Sequence, residues 1–394
     1  MPEALLVGGV RTPVGRYGGA LAGVRPDDLA ALVIAEAVQR AGIDPASIDE
    51  VIFGGANQAG EDNRNVARMA TLLAGLPDEI PGITVNRLCS SGMSAIIMAS
   101  QMIRAGDADI VIAGGVESMT RAPWVQAKPE RPWAKPGEAF DTSIGWRFTN
   151  PRLAARDKAT FSMPETAEEV ARVDGITREE ADAFALRSHE RAIAAIDAGR
   201  FTDEIVAVPT KGGEVAVDEG PRRETTMDAL ARLRPVVTGG SVVTAGNASS
   251  LNDGASAIVI ASDAAVERLG LAARARVVGG TSAGIAPEIM GLGPVPATEK
   301  LLARTGLEID DIGAVELNEA FATQSIGTIR RLGLDDGIVN ADGGAIALGH
   351  PLGSSGSRLV VTLLGRMERE GADRGLATMC VGVGQGTAII LERV

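Results

Sequence analysis

The sequence predicts an α/β protein made of two related halves with an insertion between them, and three observations carry that prediction. Continuously apolar, strand-like runs alternate with helix-like runs, the pattern of sheets covered by helices. Two distant stretches repeat the same order of elements. The 394 residues include 49 glycines and only 3% aromatics, so small aliphatic side chains must fill the core. At about 150 residues per domain, this length accommodates two or three domains.

Taken in order, the chain opens on ALLVGGVRTPVG from Ala4, a strand running into a turn. RAGIDPASIDEVIFGGANQ (Arg40 to Gln58) reads as a helix end, an acidic connection and a buried strand. VNRLCSSGMSAIIMAS then places Val85-Asn86 and a small-residue turn before Ser90-Ser91-Gly92. An apolar helical run ends at Ala105-Gly106-Asp107, and the strand ADIVIAGG follows.

From about Met119 to Val243 the character changes to Trp, Pro and charge, as in APWVQAKPERPWAKPGEAF. Thr177 to Glu180 form a capping box before an amphipathic helix through Ala198, where Gly199 can end it. This stretch is expected to be a lid or substrate-binding insertion. SVVTAGNASSLNDGASAIVIAS, from Ser241, reads as a return to the first half's sheet.

The second half repeats the first. RTGLEIDDIGAVELNEA (Arg304 to Ala320) parallels Arg40 to Gln58, and Val339-Asn340 with Ser354-Ser355-Gly356 parallels Val85-Asn86 with Ser90-Ser91-Gly92. A helical run ending at Glu370-Gly371-Ala372 precedes GLATMCVGVGQG. The expected division is 1–118 with 244–268, an inserted loop domain at 119–243, and 269–394.

The net charge of -13 argues against nucleic acid or an anionic membrane surface as the main partner. No apolar stretch reaches the roughly 20 residues that span a bilayer. The amino terminus reads directly as a strand rather than a cationic leader, so a cytoplasmic enzyme is expected.

There are two cysteines and two histidines. Cys89 lies where a strand meets a turn and then a helix, near amides that stabilise a thiolate or a developing oxyanion. The turn alone fits a nucleophile or a packing thiol equally. His189, within an amphipathic helix, reads as a surface residue. His350, in the glycine-rich GGAIALGHPLGSSGSR, is the credible partner for a Cys–His pair. Cys380 ends an apolar strand and suits acid/base work. Asn318, also at a strand end, either caps a turn or orients water. The histidines and cysteines lack compact spacing for zinc.

Several long motifs in order, RTPVGRYGG, NRLCSSGMSA, GGVESM, TAGNAS, NEAFA, GGAIALGHPLG and CVGVGQG, give the chain a resemblance to the thiolase family over essentially its whole length. The resemblance implies the thiolase fold, with a layered α/β/α/β/α core. It also implies reversible CoA-dependent cleavage of a 3-oxoacyl-CoA through an acyl-Cys89 intermediate. Cys89 would take the acyl group, His350 would accept its proton, and Cys380 would exchange a proton with the α-carbon. His350 and a water on Asn318 would form one oxyanion hole; backbone amides of Cys89 and Gly382 would form the other.

By the same resemblance CoA is a substrate rather than a tightly bound cofactor, and no metal is expected. CoA would lie against the insertion, with Ser249 beside the pantetheine, Arg222 near the nucleotide end, and Met163, Ala320 and Phe321 as further contacts. A homodimer or homotetramer is implied.

Biosynthetic acetoacetyl-CoA thiolases commonly carry His-Met-Gly where this chain has Ser162, Met163 and Pro164. DTSIGWRF, SMPETAEEVA and DAFALRSHERA instead resemble the degradative branch that includes β-ketoadipyl-CoA thiolases, with a broad 3-ketoacyl-CoA thiolase as close competitor. A biosynthetic thiolase, a decarboxylating ketoacyl synthase and a noncatalytic acyl-CoA-binding protein are the alternatives.

Overall fold

The computed structural model describes residues 2–394. Nine principal strands carry the fold: β1 (Ala4–Arg11), β2 (Glu50–Gly54), β3 (Gly82–Val85), β4 (Ile110–Ser118), β5 (Asn252–Ser262), β6 (Ala275–Gly284), β7 (Ala314–Leu317), β8 (Arg374–Val381) and β9 (Gln385–Arg393). Hydrogen bonds link them in the order β7-β8-β9-β6-β1-β5-β4-β2-β3. The halves meet at β1 and β6 through only two residue pairs, Leu5 with Arg276 and Leu6 with Ala275.

Pairing on the two sides of that junction repeats. The neighbours β2 and β4 are parallel while β4 and β5 are antiparallel. Likewise β7 and β8 are parallel, and β8 and β9 antiparallel. Even β3 has a counterpart, since Val339 makes an isolated parallel bridge to Val315. The strand after residue 251 pairs within the first half, where β5 lies between β1 and β4.

Eight helices matter here: α1 (Pro26–Ala41), α2 (Val66–Leu73), α3 (Ser91–Ala105), α4 (Met163–Asp174), α5 (Arg178–Asp197), α6 (Pro294–Thr305), α7 (Ala322–Leu332) and α8 (Leu352–Glu370). Met93, Ile96 and Ile103 of α3 and Leu359, Leu363 and Met367 of α8 share one core with Ile258 and Ile260 of the first half and Met379 and Ile389 of the second. Helices α1 and α2 pack on the first half's outer face and α6 and α7 on the second's. The result is the layered α/β/α/β/α arrangement. Strands of the two halves are covered on both faces, which is why they read as continuous apolar runs.

The repeated Ser-Ser-Gly triplets have a packing reason. A Cβ on Gly92 would stand 2.5 Å from Ser357 Oγ and 2.8 Å from Gly353 O, and one on Gly356 would stand 2.5 Å from Met93 N. The first turns of α3 and α8 therefore cross backbone to backbone.

Helix α5 starts at the capping box read from sequence, with Thr177 Oγ1 accepting from Glu180 N at 3.2 Å and Glu180 accepting from Thr177 N at 2.8 Å. It ends at Ala198 and Gly199, the latter at φ 67°. One expectation is corrected on this helix: His189 is buried rather than on the surface. It lies on the stripe of Ala181, Ala185 and Ala192, and its Nδ1 accepts from Arg222 N at 3.2 Å. Among the described residues, no helix is long and apolar enough to cross a membrane.

Candidate active site

The turn that presents Cys89 is fixed by its neighbours. Asn86 accepts from Leu88 N at 2.8 Å and donates to Ala56 O at 2.9 Å. Ser91 Oγ accepts from Arg87 N and donates to Leu88 O. Leu88 is driven to φ 47°, a conformation a branched side chain adopts only under external constraint. A single 3-10 turn, Leu88–Ser90, then leads into α3, leaving Cys89 partly exposed at the helix's amino end.

Cys380 is buried near the end of β8, followed by the reversal through Gly382, Val383 (φ 62°) and Gly384 (φ 77°). Both cysteines are free thiols. The amides of Gly382 and of Cys89 itself favour the Cys89 thiolate, but the sulfur is open only to the cavity, and its desolvation there wins and pushes this thiol up to about 11. Burial raises the Cys380 thiol as well, and nearby Cys89 adds to the effect. Both cysteines are thus thiols in the resting site, and a thiolate needs a partner to take its proton.

His350 stands opposite. Its predecessor Gly349 has φ 113°, and a Cβ there would strike Asn252 Cγ at 2.5 Å. The His350 amide donates to Asn252 Oδ1 at 2.9 Å. The ring lies between Ser355 Oγ, 2.6 Å from Nδ1, and Asn318 Nδ2, 3.4 Å from Nε2. Burial, with a contribution from Arg358, lowers the imidazolium's pKa to about 3, so the ring is neutral. Asn318 is fully buried just past the end of β7, its backbone N–H donating to Thr378 O at 3.0 Å, while its Oδ1 has no hydrogen-bond partner among the described residues.

A cavity of about 580 Å³ brings Cys89, His350, Cys380 and Gly382 together. Met163, Ser249, Ala320 and Phe321 also line it. Asn318 is not itself a lining residue but adjoins one, its Nδ2 lying 3.4 Å from Nε2 of His350. Arg222 is exposed and lies outside the lining. Among the described residues, no group of three or more His, Cys, Asp or Glu is arranged to hold a metal ion.

Two features of this site escaped the sequence. Glu117, buried on the cavity wall, accepts from Ala56 N at 3.0 Å, Asn57 N at 3.2 Å and Gly353 N at 2.8 Å. Burial, reinforced by Asp62, nevertheless raises its carboxyl to about 7. Ser355 holds the His350 ring. Its position in a triplet repeated near Cys89 was the available signal, but a serine five residues from a histidine does not disclose a contact before the loop is folded.

A strand-end thiol at a helix start, a neutral imidazole and a second buried thiol around one largely apolar cavity define an enzyme of acyl transfer. Comparison with known proteins gives the same class. Residues 4–264 match the family model for the thiolase N-terminal domain and residues 271–393 that for the thiolase C-terminal domain. A β-ketoadipyl-CoA thiolase of Pseudomonas aeruginosa is 55% identical over 399 residues, covering 100% of this chain and 99% of its own. The 3-oxoadipyl-CoA/3-oxo-5,6-dehydrosuberyl-CoA thiolase of Escherichia coli is 53% identical, with 100% of both chains covered. The crystal structure of human mitochondrial 3-ketoacyl-CoA thiolase in complex with CoA superimposes with a TM-score of 0.94 at 38% identity, covering 100% of this chain and 98% of that one. The chain belongs to the thiolase family, and it is a CoA-dependent acyltransferase.

Proposed function

We propose that this thiolase works in the degradative direction on 3-oxoadipyl-CoA and related 3-oxoacyl-CoAs, releasing acetyl-CoA and a shortened acyl-CoA. The observation that carries the chemistry is the single cavity holding Cys89, His350 and Cys380. The relatives at 52–55% identity named for β-ketoadipyl-CoA or 3-oxoadipyl-CoA support the substrate class.

In this reading His350 Nε2 takes the Cys89 proton as the sulfur attacks the C3 carbonyl. Burial disfavours a lone thiolate and a lone imidazolium, but the transfer makes both together and each offsets the other. The C2–C3 bond breaks, and its electron pair leaves as the enolate of acetyl-CoA. Cys380, kept protonated by its burial, gives that carbon a proton. A second CoA thiol then gives its proton to the Cys380 thiolate and attacks the acyl-Cys89 carbonyl; the Cys89 sulfur leaves and takes its proton back from His350, which frees the shortened acyl-CoA. Amides of Cys89 and Gly382 stabilise one oxyanion. His350, with a water on the buried Oδ1 of Asn318, stabilises the enolate oxygen.

CoA is proposed to run along the insertion past Met163 and Ser249, with Ala320 and Phe321 flanking it and Arg222 toward the nucleotide. The division at 119–243 is kept as the boundary of that insertion. A homodimer or homotetramer belongs to the same proposal. Its support is the edge position of β3 with exposed Ile83, beside exposed Leu72 and Leu73, and the 76% and 95% exposure of Trp124 and Trp133. Sedimentation as a monomer at working concentration would overturn it. A reducing, cytoplasmic setting suits two thiols that must stay unoxidised.

Thiolysis assays of the purified enzyme on 3-oxoadipyl-CoA, acetoacetyl-CoA and longer 3-oxoacyl-CoAs test the substrate class. Preference for 3-oxoadipyl-CoA is the expected result, and activity confined to acetoacetyl-CoA would refute the proposal.

A further inference from the structure

A substrate whose acyl chain ends in a carboxylate brings a negative charge into the cavity, and burying that charge without a partner costs more than burying an alkyl end. Among the described residues lining the cavity, Arg147 is the one lysine or arginine. It pairs with no carboxylate among the described residues; its side chain donates from Nη2 to Asn57 Oδ1 at 3.5 Å.

That contact is oriented. Thr142 Oγ1 donates to Pro123 O at 2.6 Å, so it accepts from Asn57 Nδ2 at 3.1 Å, which turns Asn57 Oδ1 toward the guanidinium. The segment carrying Arg147 is also anchored on both sides. Trp146 Nε1 donates to Phe161 O at 3.4 Å, and the Phe148 ring meets the Phe140 ring edge-on with centroids 5.2 Å apart. The only carboxylate on the wall, Glu117 among the described residues, is close enough to Cys89 to raise that thiol. The cavity therefore offers an acidic group near the nucleophile and a cation without a countercharge elsewhere on its wall.

We propose that Arg147 determines acyl-chain specificity by pairing with the terminal carboxylate of a 3-oxo dicarboxylic acyl-CoA, with Asn57 holding the guanidinium in place. The inference rests on the degradative dicarboxylate reading above and names the residue that would produce it. A planar guanidinium engages a carboxylate through two parallel hydrogen bonds, which a neutral alkyl end cannot return.

The test compares kcat/KM for 3-oxoadipyl-CoA and for 3-oxohexanoyl-CoA, which has a methyl end in place of the carboxylate, in the wild-type enzyme, Arg147→Leu and Arg147→Lys. Arg147→Leu is expected to lose roughly 10- to 100-fold on 3-oxoadipyl-CoA, the range of one charge-assisted contact, while changing little on 3-oxohexanoyl-CoA. Arg147→Lys should fall between, and its retained activity on the neutral substrate reports an intact fold. Equal losses on both substrates would mean that Arg147 holds the CoA phosphates, and no loss on either would make it a solvated charge; each result overturns the inference. Should the wild-type enzyme show no preference for the dicarboxylate, the substrate reading itself falls, independently of the variants.

Discussion

His350 Nδ1 lies 2.6 Å from Ser355 Oγ, and that hydroxyl also stands 2.9 Å from Pro351 O. A hydroxyl has one proton, and the carbonyl can only accept it. Ser355 therefore accepts from Nδ1–H, and the lone pair of the imidazole is left on Nε2, the nitrogen that faces Asn318. One serine thus sets which nitrogen carries the lone pair, and so which one the proposed mechanism can use as base.

Ser355→Ala removes the acceptor and frees the ring to take either tautomer. We expect the single-turnover rate of Cys89 acylation to drop by roughly 10- to 100-fold, well short of the loss caused by the wrong tautomer in a fully locked triad. KM should change little, and Ser355→Thr should restore most of the rate. An unchanged acylation rate would show that Ser355 does not set the tautomer.

The two cysteines should separate by step. Cys89→Ala is expected to abolish the labelled acyl-enzyme formed with radioactive acetyl-CoA. Cys380→Ala should still acylate but should lose roughly 10²- to 10⁴-fold in condensation, the usual contribution of a positioned acid or base. Acylation surviving in Cys89→Ala would sink the assignment of the nucleophile.

Stability should depend on pH through opposed buried groups, of which His350 and Glu117 lie at the site. His350 has a folded pKa of about 3 against an ordinary 6.5, so below 6.5 the unfolded chain takes up a proton that the folded one refuses. Stability from this group is complete above 6.5 and falls as pH drops toward 3, by on the order of 2 kcal/mol at about pH 5. Glu117, raised from 4.5 to about 7, acts the other way: the folded state keeps a proton the unfolded state has released, so stability falls as pH rises from 4.5 to 7. Denaturant titrations from about pH 5 to 8 should show a flatter acid limb for His350→Gln. For Glu117→Gln they should show less loss between pH 5 and 7. A His350→Gln curve parallel to wild type would contradict the buried, neutral histidine.

Glycines within α8 give a packing test. Gly356→Ala places a Cβ 2.5 Å from the Met93 backbone nitrogen, which cannot move without shifting α3, and should cost about 3 kcal/mol. Gly365→Ala, in the same helix, meets only the end of the Arg369 side chain at 3.1 Å and should be neutral or stabilising by up to about 1 kcal/mol. Thermal melts of the two variants should differ sharply, and similar melts would refute the close crossing of α3 and α8.

The sequence by itself determined the two-fold plan of the core, because covered strands need continuous apolar runs and crossing helices need small residues at matched places. It also determined the chemical inventory: with two cysteines and two histidines, few catalytic sets were available. Tertiary structure decided where each group stands and what surrounds it. His189 turned out buried because a segment 33 residues away covers it. Ser355 sits on His350, Glu117 joins residues 56 and 57 to Gly353, and Arg147 reaches the cavity wall from the stretch between β4 and β5. Local patterning fixes which face of an element is apolar. Proton positions, shifted pKa values and cavity charge arise from atoms distant in the chain and are set only when those atoms meet.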